Sequence, residues 1–318
     1  MAVLTNRASV LLACHEEQLD SLLALRRIAA HLGDLPRFGD LPHLGDLPHL
    51  DDPPHLDDPP RLGTADAERP AAALVCDDEA VTARLTRLGV PVLHLSSALP
   101  EAPVAGPATG SAEGLLTRAH WPGWLDHPPG IRPTGLLAPA RLTRNRDRRG
   151  TLLLISLWGL PTAETGAFTD RRLPALVGEA VRRTGSCTVV CDTSLDQVRA
   201  ATAHLPDTTT LRAADIDVDA RHAEAELLLA SPTMAALALA RARRAPLAFL
   251  PPLGPAQRAL AERIAHLVPV PTADPADPTR WEQPPAEVQW AALGRDLDDL
   301  RGAQALARTV RQLLLAPL

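Results

Sequence analysis

Ser231-Pro232-Thr233 is the stretch of this chain whose residue types and spacing best suit chemistry. It separates an apolar run, Leu227-Leu228-Leu229, from an alanine-rich helical segment, and a second apolar run over 247–250 ends in Pro251-Pro252. Strand, polar turn, helix and strand make a βαβ unit, with the turn between a strand's carboxyl end and a helix's amino terminus. Such a terminus presents unpaired N–H groups and a partial positive charge, which suit a phosphate. Ligands of open α/β sheets collect at these same strand ends. The serine would serve equally as an ordinary N-terminal helix cap. Spacing alone leaves both roles open.

Other candidates are weaker. Asp215, Asp217 and Asp219 alternate strictly, so an extended backbone would set all three carboxylates on one face. Their oxygens would suit a hard divalent cation, but charges also commonly blunt an exposed strand edge or loop. From His31 a six-residue unit repeats (HLGDLP, RFGDLP, HLGDLP, HLDDPP, HLDDPP), so His31, His43, His49 and His55 are interleaved with aspartates. Proline in every unit forbids a continuous helix, and the few leucines bury too little to offset ordering. Residues 31–63 therefore read as a disordered insert, and no metal site is expected. Cys14, Cys76, Cys187 and Cys191 each lie in or beside an apolar run, with no CxxC pair among them. That excludes a zinc or dithiol motif and suits buried thiols in a reducing compartment.

The bulk of the chain narrows the classes further. A length of 318 residues exceeds one typical domain, and 46% hydrophobic residues supply a substantial core. Net charge is −6, lysine and tyrosine are absent, and the basic residues cluster only at 144–149, which excludes a nucleic-acid footprint. Any phosphate contact must use arginine, histidine, hydroxyls or backbone N–H groups. The wealth of alanine, leucine, proline and arginine reads as the product of a GC-rich genome. No signal peptide and no apolar stretch of membrane-spanning length is found, so a cytoplasmic location is expected. Oligomeric state is not legible.

Strand and helix patterns position the candidates. An apolar strand over 9–14 leads through His15-Glu16-Glu17 into an amphipathic helix over 18–32. Folded sequence resumes with a strand at 71–78, a helix at 79–88, a glycine stop, and strands near 90–95 and 114–118. The first βα turn lacks GxGxxG, which counts against a dinucleotide dehydrogenase. Residues 120–135, rich in proline and bearing Trp121 and Trp124, read as a crossing packed at a domain junction, and the boundary falls near residue 140. Beyond it come a strand at 151–157, a glycine turn through Thr162, and a helix at 173–184. A strand at 186–191, a helix at 195–203 capped by Asp192-Thr193-Ser194, and a short strand near 208–212 follow. After the Ser231 unit come helices over 253–266 and 296–315. The expected fold is α/β, with two Rossmann-like domains, 1–140 and 141–318, the first reduced and carrying the insert.

Two Rossmann-like halves without a dinucleotide fingerprint, joined by a proline-rich crossing, resemble the GT-B glycosyltransferases. LLLISLWGLPT resembles the strand and glycine turn that open the donor-binding half of that superfamily. LLLASPTMAALALARARRAPLAFLPPLGPAQ resembles its nucleotide-binding segment. Within it the chain is most similar to the cytosylglucuronic acid (CGA) synthase-related proteins of actinomycetes. The CGA synthases transfer glucuronate from UDP-glucuronic acid to cytosine in nucleoside antibiotic pathways. The resemblance implies a UDP-sugar donor, a small-molecule acceptor and no cofactor or metal. It places Ser156, Trp158 and Gly159 near the diphosphate, with Ser231, Thr233 and Met234 offering hydroxyls and helix-terminal N–H groups to it. Gln257 would lie near the donor sugar, and His15 stands where many members hold a general base. Two positions depart from the pattern: the helix over 235–241 carries no carboxylate for the donor's ribose, and Gly254 stands where asparagine is usual. A non-catalytic GT-B-fold accessory or UDP-binding protein is therefore the alternative expectation.

Overall fold

The computed structural model describes residues 9–35, 70–97, 114–127, 132–142, 145, 147–293 and 300–315. Most of the expected repeat lies outside the described residues. Four apolar runs form the first sheet: β1 (Val10–Cys14), β2 (Ala72–Cys76), β3 (Val92–Ser96) and β4 (Leu115–Ala119), parallel and in that order. Helices α1 (Leu19–Leu32) and α2 (Glu79–Arg87) provide the crossovers after β1 and β2. β2 is buried along its whole length, as a parallel strand covered on both faces must be.

The second sheet holds β5 (Thr151–Ile155), β6 (Cys187–Cys191), β7 (Thr209–Ala213), β8 (Leu227–Ala230) and β9 (Ala248–Phe249), all parallel. Its order is β7-β6-β5-β8-β9. The connection after β5 therefore runs to one side and β8 returns on the other, which opens a crevice at the carboxyl ends of β5 and β8. Around this sheet lie α3 (Thr162–Ala167), α4 (Leu173–Thr184), α5 (Leu195–Thr202), α6 (Val218–Glu224), α7 (Met234–Arg243), α8 (Gly254–Ala265) and α9 (Ala286–Gln289). Two Rossmann-like units, the architecture that the GT-B resemblance implies, are thus present. The final helix, α10 (Gly302–Leu315), does not stay with the second sheet. Its Ala303, Leu306, Ala307 and Val310 join Val10, Ile28, Leu74 and Leu93 in the first sheet's core. A Cβ on Gly302 would stand 2.9 Å from the carbonyl oxygens of Thr134, Gly135 and Leu136, so only glycine admits the helix there. The crossing packs as expected, with Trp121 fully buried beside Leu19, Leu23 and Met234 and its indole N–H donating to the Leu125 carbonyl at 2.8 Å.

Two expectations change. Helical structure begins at Thr162 rather than Leu173, because a π-helical turn over Phe168–Arg172 joins α3 to α4. The polar, glycine-bearing text hid this, while buried Phe168 and the Thr169 hydroxyl, donating to the Thr165 carbonyl at 2.9 Å, hold it. The aspartate run is not extended: Asp217 caps α6, accepting the Ala220 N–H at 2.9 Å, and Asp219 lies inside the helix. The three carboxylates are therefore not ranged along a strand; with Arg26 and Arg27 they border a separate cavity of about 370 Å³. Asp219 instead pairs with Arg27 at 2.7 Å. Among the described residues no group of three or more His, Cys, Asp or Glu is placed to hold a metal ion, and no helix is long and apolar enough to cross a membrane.

Candidate functional site

Ser156 follows β5 at the crevice, and every polar group it owns is bonded. Its N–H donates to the Ser231 hydroxyl at 3.0 Å, its carbonyl accepts the Gln257 amide at 2.9 Å, and its hydroxyl donates to Asp192 at 2.8 Å. Asp192, at the carboxyl end of the neighbouring β6, also accepts the N–H groups of Leu157 and Thr193, each at 2.8 Å. Gln257 in turn accepts the Leu253 N–H at 3.0 Å through its own carbonyl oxygen. Three segments from different parts of the chain thus clamp one loop. The turn they hold carries Gly159 at φ +71°, a left-handed conformation that glycine adopts at least cost. Burial raises the Asp192 carboxyl above its ordinary range, against the pull of the groups that donate to it. Replacing Asp192 with alanine is expected to cost about 2–4 kcal/mol, because it leaves buried donors unpaired. Urea unfolding measures this, and a loss below about 1 kcal/mol would show the clamp to be dispensable.

β8 ends in Ser231-Pro232-Thr233, and α7 follows. Thr233 caps the helix, its hydroxyl accepting the Ala236 N–H at 3.2 Å. The N–H groups of Met234 and Ala235 are not free for a ligand here. They donate to the two carboxylate oxygens of Asp20, at 3.1 and 2.9 Å. Asp20 comes from α1, across the junction between the sheets, and burial pushes its carboxyl up to about 7. A second helix start is engaged likewise: the Gly254 N–H at the head of α8 donates to Glu164 at 2.7 Å.

A cleft of about 780 Å³ opens between the two sheets at these strand ends. His15, Ser156, Trp158, Gly159, Thr233, Met234 and Gln257 all line it, so seven of the eight residues singled out in the sequence converge on one space. Ser231 stands behind the wall, 2% exposed, holding Ser156 in place. Its hydroxyl, expected to face a ligand, accepts the Ser156 N–H at 3.0 Å. Trp158 is 37% exposed and meets the His15 ring edge-on, with centroids 4.9 Å apart. This contact spans the two units. The His15 backbone is fixed by its N–H, which donates to the Cys76 carbonyl and the Ser21 hydroxyl, each at 3.1 Å. Its Nδ1 is buried without a partner among the described residues.

The wall facing Trp158 is acidic. Asp77, Asp78 and Glu79 line the cleft, and among the described residues no arginine does. Asp77 accepts the Ser97 N–H at 2.7 Å and the Ser97 hydroxyl, while Asp78 caps α2 through the Val81 N–H at 2.8 Å. His94 bonds the Thr82 hydroxyl at 2.7 Å, and burial lowers its pKa. Gln18, 4% exposed, lines the same space with its side-chain oxygen unpartnered among the described residues.

Sequence reading missed Asp20, Asp192 and Glu164. Asp20 looks like a solvated residue in a helix's first turn, Glu164 falls in text read as lying before the helix at 173–184, and Asp192 looks like a plain cap. One signal was available for Asp192: it ends an apolar strand at the edge of the crevice, where a side chain can reach the neighbouring strand's loop.

No curated protein sequence matches the chain. Among solved structures it is similar to the glycosyltransferase SnogD from Streptomyces nogalater, at 15% identity and a TM-score of 0.48, over 96% of this chain and 98% of that one. Spinosyn rhamnosyltransferase SpnG complexed with thymidine diphosphate is similar at 16% identity and a TM-score of 0.47, over 96% of each chain. Spinosyn forosaminyltransferase SpnP is similar at 14% identity and a TM-score of 0.47, over 96% of this chain and 95% of that one. The CGA synthase-related protein family matches residues 10–318, all of the described fold. With its paired parallel sheets and a cleft at their facing strand ends, the chain belongs to the CGA synthase-related protein family.

Proposed function

We propose that the protein transfers a sugar from a nucleotide-sugar donor to a small-molecule acceptor, with UDP-glucuronate and a cytosine-like base as the specific pair. One observation carries this reading: His15 of the first unit faces the Trp158-Gly159 turn of the second across the cleft. The donor would lie over that turn, with Ser156, Thr233 and Met234 along its phosphates and Gln257 toward its sugar. The acceptor would enter beside His15. A ring nitrogen of the acceptor attacks the anomeric carbon, the bond to the diphosphate breaks, and the imidazole takes the proton the nitrogen loses. The displaced diphosphate carries away the electron pair. On this reading residues 1–140 with α10 make the acceptor side, and residues from 141 to the end of α9 the donor side.

Incubating the protein with UDP-glucuronate and cytosine, with mass spectrometry of the products, tests the pair. Replacing His15 with alanine is expected to lower kcat by about 10²–10⁴-fold with little change in donor KM. Equal turnover in the variant would remove His15 from the mechanism. The second reading, a non-catalytic protein that keeps the fold and binds UDP or a partner, is favoured by α7, which carries no Asp or Glu and whose first N–H groups are already engaged. Calorimetric binding of UDP without product formation would support it.

A further inference from the structure

We propose that Cys14 and Cys76 are a redox pair: a small-molecule disulfide such as glutathione disulfide converts them to an intramolecular bond that ties the ends of β1 and β2 beside His15 and slows its chemistry. Formation of the bond stands apart from the proposed function; its effect on sugar transfer rests on that reading.

The pairing follows from strand register. Cys14 and Cys76 are the last residues of adjacent parallel strands and lie directly opposite one another. Such partners project to the same face of a sheet. Here both side chains pack with Ile28, Leu93 and Val310 in the core that α1 and α10 cover. Neighbouring strands run about 4.7–4.9 Å apart, inside the about 4.4–6.8 Å between Cα atoms that a disulfide spans. Side chains leaving two strands side by side keep about that spacing at Cβ, a little more than the about 3.5–4.5 Å a disulfide takes. The bond therefore closes with a small inward shift of the strand ends, and strained bonds of this kind are the readily reduced ones. Cys187 and Cys191 have no such partner: both lie on β6, opposite Thr151 and Ile155 on one side and Thr209 and Ala213 on the other.

Cys76 is fully buried and Cys14 half-buried, so the oxidant enters through Cys14. The Cys14 thiolate attacks one sulfur of glutathione disulfide, forms a mixed disulfide and expels one glutathione thiolate. The Cys76 thiolate then attacks the Cys14 sulfur, and the second glutathione leaves. Two cysteine thiols are oxidised, one glutathione disulfide is reduced to two glutathiones, and the two cysteine protons end on them. Burial pushes the Cys14 thiol up to about 11 and Cys76 well above the ordinary thiol range, so thiolates are scarce near neutral pH and the exchange is slow.

The pair adjoins the candidate base. His15 follows Cys14 directly, and its N–H donates to the Cys76 carbonyl at 3.1 Å, which also accepts the Ser21 hydroxyl at 2.8 Å. Asp77, left-handed at φ +54°, follows Cys76 and lines the cleft. Drawing the strand ends together shifts the backbone that carries His15, and with it the contact to Trp158 across the cleft.

Incubating the folded, full chain with glutathione disulfide at about pH 8.5, where more of each thiol is ionised, and alkylating after denaturation counts the thiols that remain. The four cysteine thiols are expected to fall to two, with mass spectrometry finding Cys14 linked to Cys76 and both Cys187 and Cys191 alkylated. Cys14→Ser should keep its remaining thiols, Cys76→Ala should stop at one glutathione on Cys14, and dithiothreitol should return the unmodified chain to its starting state. The oxidised chain should transfer sugar at least about tenfold more slowly, reversibly, as expected when a catalytic group is displaced by a fraction of an ångström or more. The decisive measurement uses unmodified protein, so it does not depend on either variant folding. Four free thiols after treatment, a glutathione that persists on Cys14 of the unmodified chain, or links between other cysteines would overturn the pair. A Cys14–Cys76 bond that leaves transfer unchanged would overturn the control of His15 and leave the proposed function standing. The same bond in a chain that transfers no sugar in either state would support the pair and count against the proposed function.

Discussion

Replacing Arg27 with methionine is expected to lower the stability of the whole chain by about 3 kcal/mol or more. Arg27 is 2% exposed and spends its entire guanidinium on the junction. It donates to the two Asp219 oxygens at 2.7 and 3.3 Å, to the Leu137 carbonyl at 3.0 Å and to the Ala235 carbonyl at 3.2 Å. One side chain of α1 thus fastens α6, α7 and the crossing segment. Methionine fills similar apolar volume but leaves the Asp219 carboxylate and two carbonyls without their donor. Removing one partner of a buried pair costs more than the pair contributes, because the survivor stays desolvated and unpaired. Asp219 retains 22% of its side-chain exposure, which moderates the penalty and sets the expectation at the lower end of the usual range. Urea unfolding of the two proteins checks it. A loss under about 1 kcal/mol would mean that water replaces the guanidinium freely, and that the units are not joined there. Met234 and Ala235 sit on the same helix terminus, so the variant is also expected to loosen the contact that seats Asp20.

Acidification is the second large effect. His120 and His222 are both buried, and burial holds each imidazole neutral, with its pKa lowered to about 3 from 6.5. His120 accepts the Leu137 N–H at Nε2, at 3.0 Å. His222 has no partner for either ring nitrogen among the described residues, and Arg27, Arg148 and Arg243 add unfavourable charge around it. A base whose folded pKa is depressed leaves the unfolded chain binding more protons. Its contribution to stability is complete above pH 6.5 and is lost as pH falls from 6.5 toward 3. Each histidine accounts for about 4–5 kcal/mol over that window, or about 1.4 kcal/mol per pH unit. Asp20 acts in the opposite sense. Its raised folded pKa, about 7 against 3.8, makes the folded chain the better proton binder between those values. The net pH dependence therefore mixes opposing groups, and the clean measurement is a difference. The slope of stability against pH between 6.5 and 4 should be shallower in His222→Leu than in the unmodified chain by about 1.4 kcal/mol per unit. Equal slopes would show that His222 titrates normally in the folded protein.

Much of the architecture is legible in apolar spacing. The runs at 10–14, 72–76, 151–155, 187–191 and 227–230 are strands because each offers four or five consecutive residues that pack on two faces. Glycine after α4 marks that helix's end, as capping preferences require. The aspartate run misleads because alternation is a strand signal only when the backbone is extended. One side-chain cap at Asp217 is enough to begin a helix instead. At the site, the GT-B resemblance singles out Ser156, Trp158, Gly159, Thr233 and Gln257, and the fold brings all five to one cleft.

The sequence by itself determined the two α/β units, the strand-end turns and the list of polar residues at them. These are local properties, set by periodicity and capping within a few residues of each other. Only the tertiary structure decided what those polar groups are bonded to. Asp20 reaches α7 across 214 positions of chain, Arg27 reaches Asp219 across 192, and Asp192 reaches Ser156 across 36. No spacing rule connects such partners, because they meet through the order of strands and the docking of one unit on the other. Ser231 accordingly reads as a ligand group in the sequence and stands in the fold as a support beneath Ser156. The helix terminus beside it reads as an empty anion site, and in the folded chain a buried carboxylate fills it.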